Sequence, residues 1–392
     1  MTAAIPLAVY GAGLVGLRHC ALIEAHATAG LAAVIEPEPE AAERAAELGH
    51  PVFATPEDAA AAHPDIAGAV IATANATPGA VAEDAAGRGW ALLVEKPLSG
   101  TLRDARRAAQ AAEAAGVPLL VGHHRRQYAS VAAARETLAS GLLGRPIAAD
   151  VIWSLRKPDD YYRYQWRVES GGGPVVINLV HDVDLLRFLL GDIAEVSALA
   201  SSAQRRGALE DSAAVALRFE NGCLATCLMS DAGLSPWGWE AATGENPDLH
   251  ASGLDCLRIV GDEGALSLPS LTYWRHDGGG RGDWTKPLTP LELPCPRTAP
   301  LEAQLDHFIA VARDGAAPIC GAAEGLASLA ATLAIRESAR TGAPVRPDPD
   351  ELPPWEQATE TAIADYAARP ARERAAAPAA PRPQAPSEET SE

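Results

Sequence analysis

The sequence predicts an α/β chain: a doubly wound parallel sheet at the N-terminus, followed by a second α/β unit on an open, mainly antiparallel sheet. Three observations carry this. Residues 7–10 form a short apolar run that opens into Gly11-Ala12-Gly13-Leu14-Val15-Gly16 and then into a stretch of helical spacing over 17–23. That order is strand, glycine turn, helix. Apolar runs and helical segments then alternate to about residue 122, as they do in a parallel sheet with right-handed crossovers. Beyond residue 190 the segments instead alternate like strands of one antiparallel sheet, with Asn221-Gly222 marking a hairpin turn between two of them.

The first turn has a ligand reading. Gly11 allows the tight turn, Gly13 lets a pyrophosphate approach the backbone, and Gly16 lets the helix pack close to the strand. The helix start, with Ala12, Leu14 and Val15 around it, offers N–H groups and a partial positive charge to phosphates. The second strand, 31–35, ends at Glu36, twenty residues after Gly16. An acid there holds the ribose hydroxyls of NAD. Pro37, Glu38 and Pro39 follow, with no Arg or Lys for a 2′-phosphate. The expected cofactor is therefore NAD rather than NADP, in a Rossmann domain over residues 1–122.

The remaining elements follow in order. A helix is expected over 38–48, with Gly49 closing it, then a strand at 51–54. Thr55 is a helix N-cap with Pro56 at the first helical position. The buried strand 66–72 runs into a polar stretch containing Thr73 and Asn75, at the strand end where ligands bind in this architecture. Helix 78–88 leads to strand 91–94, which delivers Glu95-Lys96-Pro97; helix 102–115 and strand 118–122 complete the unit. The chain has three lysines, at 96, 157 and 286, and the other 29 of its 32 basic residues are Arg. A Lys at a strand end in such a chain suggests that a compact ammonium acting on a reacting oxygen was required.

The second unit, 123–346, begins with His123-His124-Arg125-Arg126-Gln127-Tyr128 and a helix to about 140. Residues 147–155 read as a strand, followed by a polar aromatic loop with Lys157, Tyr161, Tyr162, Trp166 and Arg167. Gly171-Gly172-Gly173-Pro174 precedes a helix over 175–190, in which Ile177, His181, Asp184 and Phe188 share one face. His181 with Asp184 one turn away is the pattern of an oriented acid–base imidazole. Strands are expected at 196–200, 213–219, 223–229, 256–260 and 265–268. The long connection between 231 and 252 is either functional or a subunit contact. Gly278–Gly282 is a flexible tip, and helices at 301–313 and 322–340 close the unit. The tail, 347–392, turns Pro-, Ala- and Glu-rich and reads as largely disordered after about 370.

Composition bounds the partners. The net charge of −19 and pI near 4.9 argue against nucleic acid or an anionic membrane. Six cysteines show no C-x-x-C pair and no metal-ligand cluster, so reduced thiols, a cytoplasmic setting and no metal site are expected. Neither a signal peptide nor a membrane span is seen.

Taken together these residues resemble the Gfo/Idh/MocA family, over about residues 5–346. The resemblance rests on Gly11-x-Gly13-x-x-Gly16, Glu95-Lys96-Pro97, Arg125-Arg126, Gly171-Gly172-Gly173 with His181-x-x-Asp184, and the Ser338–Gly342 stretch. It implies NAD(P)-linked oxidation of a secondary alcohol on a sugar, cyclitol or related hydroxylated molecule, acidic ones included, or the reverse. It implies His181 as general base, Lys96 on the developing alkoxide, and Glu95 at the cofactor. Arg125, Arg126, Tyr162 and Asn178 become candidate substrate contacts. It also implies a homodimer or homotetramer through the second sheet. One departure stands out: members similar to inositol dehydrogenase carry an Asp four residues before the His, and here that position is Ile177, with Asn178 beside it. Two other readings remain: a hydrolase or lyase using tightly held NAD for transient oxidation, and a non-catalytic NAD-binding regulator.

Overall fold

Apolar residues on two different periods build two sheets, and the computed structural model describes residues 4–73, 78–163, 172–206, 209–354 and 356–357. The first sheet uses β1 (Ile5–Tyr10), α1 (Leu14–Ala25), β2 (Ala29–Ile35), α2 (Pro39–Glu47), β3 (Val52–Phe53) and α3 (Pro56–Ala62). It continues through β4 (Gly68–Ile71), α4 (Pro78–Gly87), β5 (Ala91–Val94), α5 (Leu102–Ala115) and β6 (Leu119–Val121). All its strands run parallel, in the order β3-β2-β1-β4-β5-β6. The order reverses between β1 and β4, and the crevice beyond the strand ends at that point is where such sheets bind ligands. β4 and β5 are buried at every residue, as strands covered by helices on both faces must be.

Local chemistry fixes the helix ends. Thr55 caps α3 by accepting from the Asp58 N–H (3.2 Å), and Thr101 caps α5 by accepting from the Asp104 N–H (3.2 Å). The start of α5 has a second partner from far away: Glu356 accepts from the N–H groups of Leu102 and Arg103, both at 2.9 Å. The segment after residue 346 thus crosses back onto the first unit. The tail beyond 357 lies outside the described residues, as does Asn75.

The second sheet has eight strands in the order β14-β13-β12-β11-β7-β10-β9-β8. The chain enters it through α6 (Ala129–Ala139), β7 (Pro146–Ser154) and α7 (Val180–Leu190), then β8 (Ile193–Ser201), β9 (Ser212–Phe219), β10 (Leu224–Ser230) and α8 (Trp239–Thr243). It ends with β11 (Leu257–Gly261), β12 (Ala265–Leu268), β13 (Thr272–Arg275), β14 (Thr289–Glu292), α9 (Pro300–Asp314) and α10 (Ala322–Thr341). Only β7 and β10 pair in parallel; the other neighbours are antiparallel. Gly222, at φ +85°, makes the β9–β10 turn, and Asn221 braces it by accepting from the Cys223 N–H (2.9 Å).

Among the helices, two features differ from expectation. The helix expected over 175–190 begins as a π-helix, Val175–Leu179, and becomes α-helical at Val180. Such insertions recur at functional sites. The closing helices, assigned above to the second unit, also serve the first. Leu305, Phe308 and Ile309 of α9 join the first unit's core, against α1, β4 and β5. Along α10, Leu329, Ala330 and Leu333 pack into the first unit while Ala331, Ala334 and Ile335 pack into the second. α10 buries apolar residues on opposite sides, which locks the two sheets to one another. Val176 of the π-helix also enters the first unit's core, so the π-helix sits where the units meet.

Candidate active site

The glycine turn is shaped for a ligand. A Cβ on Gly16 would lie 1.9 Å from the Gly11 carbonyl, and one on Gly11, at φ +95°, 2.8 Å from the Ala72 carbonyl. Those two glycines are required by packing. At Gly13 a Cβ would meet nothing within 4 Å, so space lies open above the turn. Leu14 and Val15 at the start of α1 are exposed, and no side chain caps the helix. Glu36 bridges the turn and the end of β2, accepting from Ala12 N–H (2.7 Å) and Glu38 N–H (3.0 Å). The Thr73 hydroxyl is buried with no partner among the described residues. An open turn, an uncapped helix start, an acid at the ribose position and an orphaned hydroxyl together fit a dinucleotide.

At the end of β5, Glu95 holds His19 of α1 at 2.7 Å. Burial pushes the Glu95 carboxyl up, but the His19 bond and the charges of His124 and Lys96 outweigh it, holding it down at about 2. Lys96 precedes a cis bond to Pro97, and its Nζ donates to the Ile177 carbonyl in the π-helix (3.1 Å). Burial, helped by Arg125, lowers the Lys96 pKa against the pull of Glu95, Glu240 and Glu245.

His181 lies one turn further along. Burial first, then the charges of Lys96 and Arg125, hold its imidazole well below the ordinary histidine range. It is a neutral ring with an acceptor nitrogen available at neutral pH. Its edge contacts are His124, centroids 5.3 Å apart, and His123, 6.2 Å apart. Its Nδ1 is buried without a hydrogen-bond partner among the described residues.

The chain matches the family model for the oxidoreductase family with an NAD-binding Rossmann fold over residues 5–123, and that for the GFO/IDH/MocA C-terminal domain over 131–267. It is 32% identical over 289 residues to a 1,5-anhydro-D-fructose reductase of Ensifer adhaerens, covering 71% of this chain and 79% of the relative. The chain belongs to the Gfo/Idh/MocA family. It is also 26% identical over 361 residues to the NAD(+)-dependent scyllo-inositol 2-dehydrogenase of Bacillus subtilis, covering 87% and 96% of the two chains. Among solved structures, the WlbA dehydrogenase of Bordetella pertussis, in complex with NADH and UDP-GlcNAcA, superposes with a TM-score of 0.70. It shares 26% identity and covers 88% of this chain and 98% of its own. This protein is thus an NAD-binding oxidoreductase of a family whose relatives include sugar and cyclitol dehydrogenases.

Within this dehydrogenase the geometry corrects three expected roles. Asp184 does not face His181. Its carboxylate takes Arg126 Nε and a terminal nitrogen at 2.8 and 2.7 Å and the Ser328 hydroxyl at 2.7 Å. A forked guanidinium is a stronger partner for a carboxylate than a neutral imidazole. Arg126 is for the same reason no substrate contact: it is buried against Asp184, the Ile319 carbonyl (2.9 Å) and Glu324 (3.0 Å). The Tyr162 hydroxyl is committed to Asp231, with the Arg205 guanidinium over its ring.

Arg125 is buried beneath the site in a charged cluster. It meets Asp182 (3.1 Å), Glu240 (2.9 Å) and Glu245 (3.6 Å). Glu245 also accepts from the Tyr128 hydroxyl (2.9 Å) and lies 3.5 Å from His124. The connection between 231 and 252 therefore folds inward, anchored by the buried Trp239, and brings two carboxylates near Lys96 at the end of β5. Sequence reasoning missed Glu240, Glu245 and His19. The aromatic–acidic composition of that connection was a signal for the first two. His19, three residues after Gly16 and on the sheet-facing side of α1, had only its spacing.

Proposed function

We propose that this enzyme moves a hydride between nicotinamide and a secondary alcohol or ketone of a sugar, cyclitol or related hydroxylated small molecule. The observation that carries the reading is the convergence of Lys96 and the His181 helix beside the open glycine turn, with Lys96 Nζ held on the Ile177 carbonyl. NAD, when bound, supplies the hydride acceptor. The chain supplies the rest. His181, neutral and buried, takes the hydroxyl proton. Lys96 places a positive charge at the oxygen as its own charge grows. The named substrates of the relatives support a polyhydroxylated ring as substrate. A screen of sugars, cyclitols and hydroxy acids for NADH release tests this. Stoichiometric NADH is the expected result; product formed without net NADH would favour transient oxidation by a hydrolase or lyase.

Cofactor choice follows from Glu36. Its carboxylate sits between the turn and the end of β2, where a 2′-phosphate would meet an anion. NAD is expected to exceed NADP by at least about tenfold in kcat/KM, or about 1.4 kcal/mol. Equal use of the two cofactors, measured side by side, would remove Glu36 from this role.

The open face of the second sheet is the proposed subunit contact. Leu199, Ala214, Leu228 and Ile152 lie in register across four neighbouring strands, and Leu199 and Leu228 are 76% and 52% exposed. A row of this kind is covered in many oligomers. Sedimentation velocity at about 10 μM should give a dimer or tetramer, and Leu228→Glu should dissociate it; a monomeric wild type sinks the proposal. The six cysteines are free, and among the described residues no helix is long and apolar enough to cross a membrane. Reduced thiols support a cytoplasmic enzyme.

A further inference from the structure

Lys157 has no part in the chemistry above, yet it is one of only three lysines in the chain. Two of those three meet consecutive residues of the π-helix. Lys96 Nζ donates to the carbonyl of Ile177, and Lys157 Nζ donates to Oδ1 of Asn178 at 2.5 Å. Lys157 is buried and fixed in place. Its ammonium lies 4.4 Å from the centre of the Tyr161 ring and 5.5 Å from that of Trp153, and its backbone N–H is tied to the Asp231 carbonyl (2.9 Å).

The bond to Lys157 determines which way the Asn178 amide faces. An ammonium has donors only, so the atom turned toward it must be the amide oxygen. The NH₂ group then points the other way. Asn178 is half-buried, and its NH₂ has no hydrogen-bond partner among the described residues. It stands next to the carbonyl that holds Lys96 and three residues before His181. Ile177 brings no charge of its own to this turn. The result is a pair of donors with a positive charge behind them, on the π-helix at the proposed catalytic centre.

We propose that Asn178 and Lys157 form a carboxylate subsite, and that the substrate is a polyhydroxy acid whose carboxylate accepts from the Asn178 amide with Lys157 behind it. This rests on the dehydrogenase reading of the same site. A carboxylate is acceptor-only and matches a donor array in both geometry and charge. A neutral hydroxyl accepts the same NH₂ bond but gains nothing comparable from the ammonium.

The test uses the full chain with NAD and matched probes: D-glucuronate against D-glucose, and D-gluconate against D-sorbitol. NADH production is followed, and calorimetry measures binding of each probe to the enzyme–NAD complex. The acid of each pair should be favoured by at least about tenfold in kcat/KM. Asn178→Asp keeps an acceptor for Lys157 but replaces the NH₂ donors with an anion. It should lower the acid-to-neutral ratio by at least about tenfold, as should Lys157→Met. A wild-type ratio near one overturns the subsite, as do variants in which acid and neutral probes fall together. Acid that binds the wild type, but neither reacts nor binds to Asn178→Asp, upholds the subsite and sinks the dehydrogenase reading. No turnover and no binding of either acid overturns the subsite.

Discussion

His181→Asn and Lys96→Met are each expected to lower kcat by about a hundredfold or more. The decisive atom is the oxygen that loses its proton. Negative charge grows on it as the hydride leaves, and two groups meet it. In the proposed reaction His181 takes the proton, since burial and the charges of Lys96 and Arg125 favour its neutral ring. Lys96 offers an ammonium that the Ile177 carbonyl holds in place. Both act on one transition state, so their losses should not add, and the double variant should be about as slow as the slower single one. NAD affinity, followed by fluorescence titration, should change little, since neither side chain lies in the glycine turn.

The pH profile of oxidation carries the same argument. The depressed His181 value means its base form persists well below the ordinary histidine pKa of about 6.5, so the acid limb of kcat/KM should lie below that. Lys96 is depressed too, and losing its proton removes the charge on the oxygen, so the alkaline limb should fall below about 10.4. If His181→Asn keeps most of its activity on the true substrate, the proton acceptor lies elsewhere, with His124 the nearest imidazole.

What the sequence revealed was what short-range chemistry decides. The glycine turn, the Thr55 cap and the Asn221-Gly222 hairpin were legible because a few adjacent residues fix each of them. Strands β13 and β14 were not. β14 is exposed at all four residues, so no buried face imprints an alternating pattern on it, and the Gly278–Gly282 segment expected as a tip connects the two strands. The π-helix was invisible for another reason. A change of winding leaves the spacing of apolar residues almost intact, and its consequence, a carbonyl within reach of Lys96, depends on a residue 81 positions away. The boundary expected at 122 falls between the two sheets, but α10 faces both, and a helix apolar on opposite sides does not say in sequence what each side will meet.

Asp184 carries the other large effect. Helical spacing put Asp184 beside His181; the fold put Arg126, 58 residues earlier, against it in a two-pronged ion pair buried on both sides. Removing Asp184 leaves the buried Arg126 charge with only the half-exposed Glu324 carboxylate beside it, at a cost of up to about 3–5 kcal/mol. Asp184→Asn should therefore lower the melting temperature by at least several degrees. Arg126→Met/Asp184→Leu, which removes both charges, should recover much of the loss. The effect has a pH signature. Burial alone would raise the Asp184 carboxyl, but His123, Arg126 and Ser328 together lower it. A carboxylate depressed in the folded state stabilises fully above its unfolded pKa of about 3.9 and loses that contribution as pH falls through the folded value. The stability gap between wild type and Asp184→Asn should be constant above about pH 5 and close under acid. Catalysis distinguishes this role from a place in the proton chain. At a temperature where both are folded, Asp184→Asn should keep kcat within about tenfold of wild type, unlike His181→Asn. A hundredfold loss with an unchanged melting temperature would instead make Asp184 the group that orients the base.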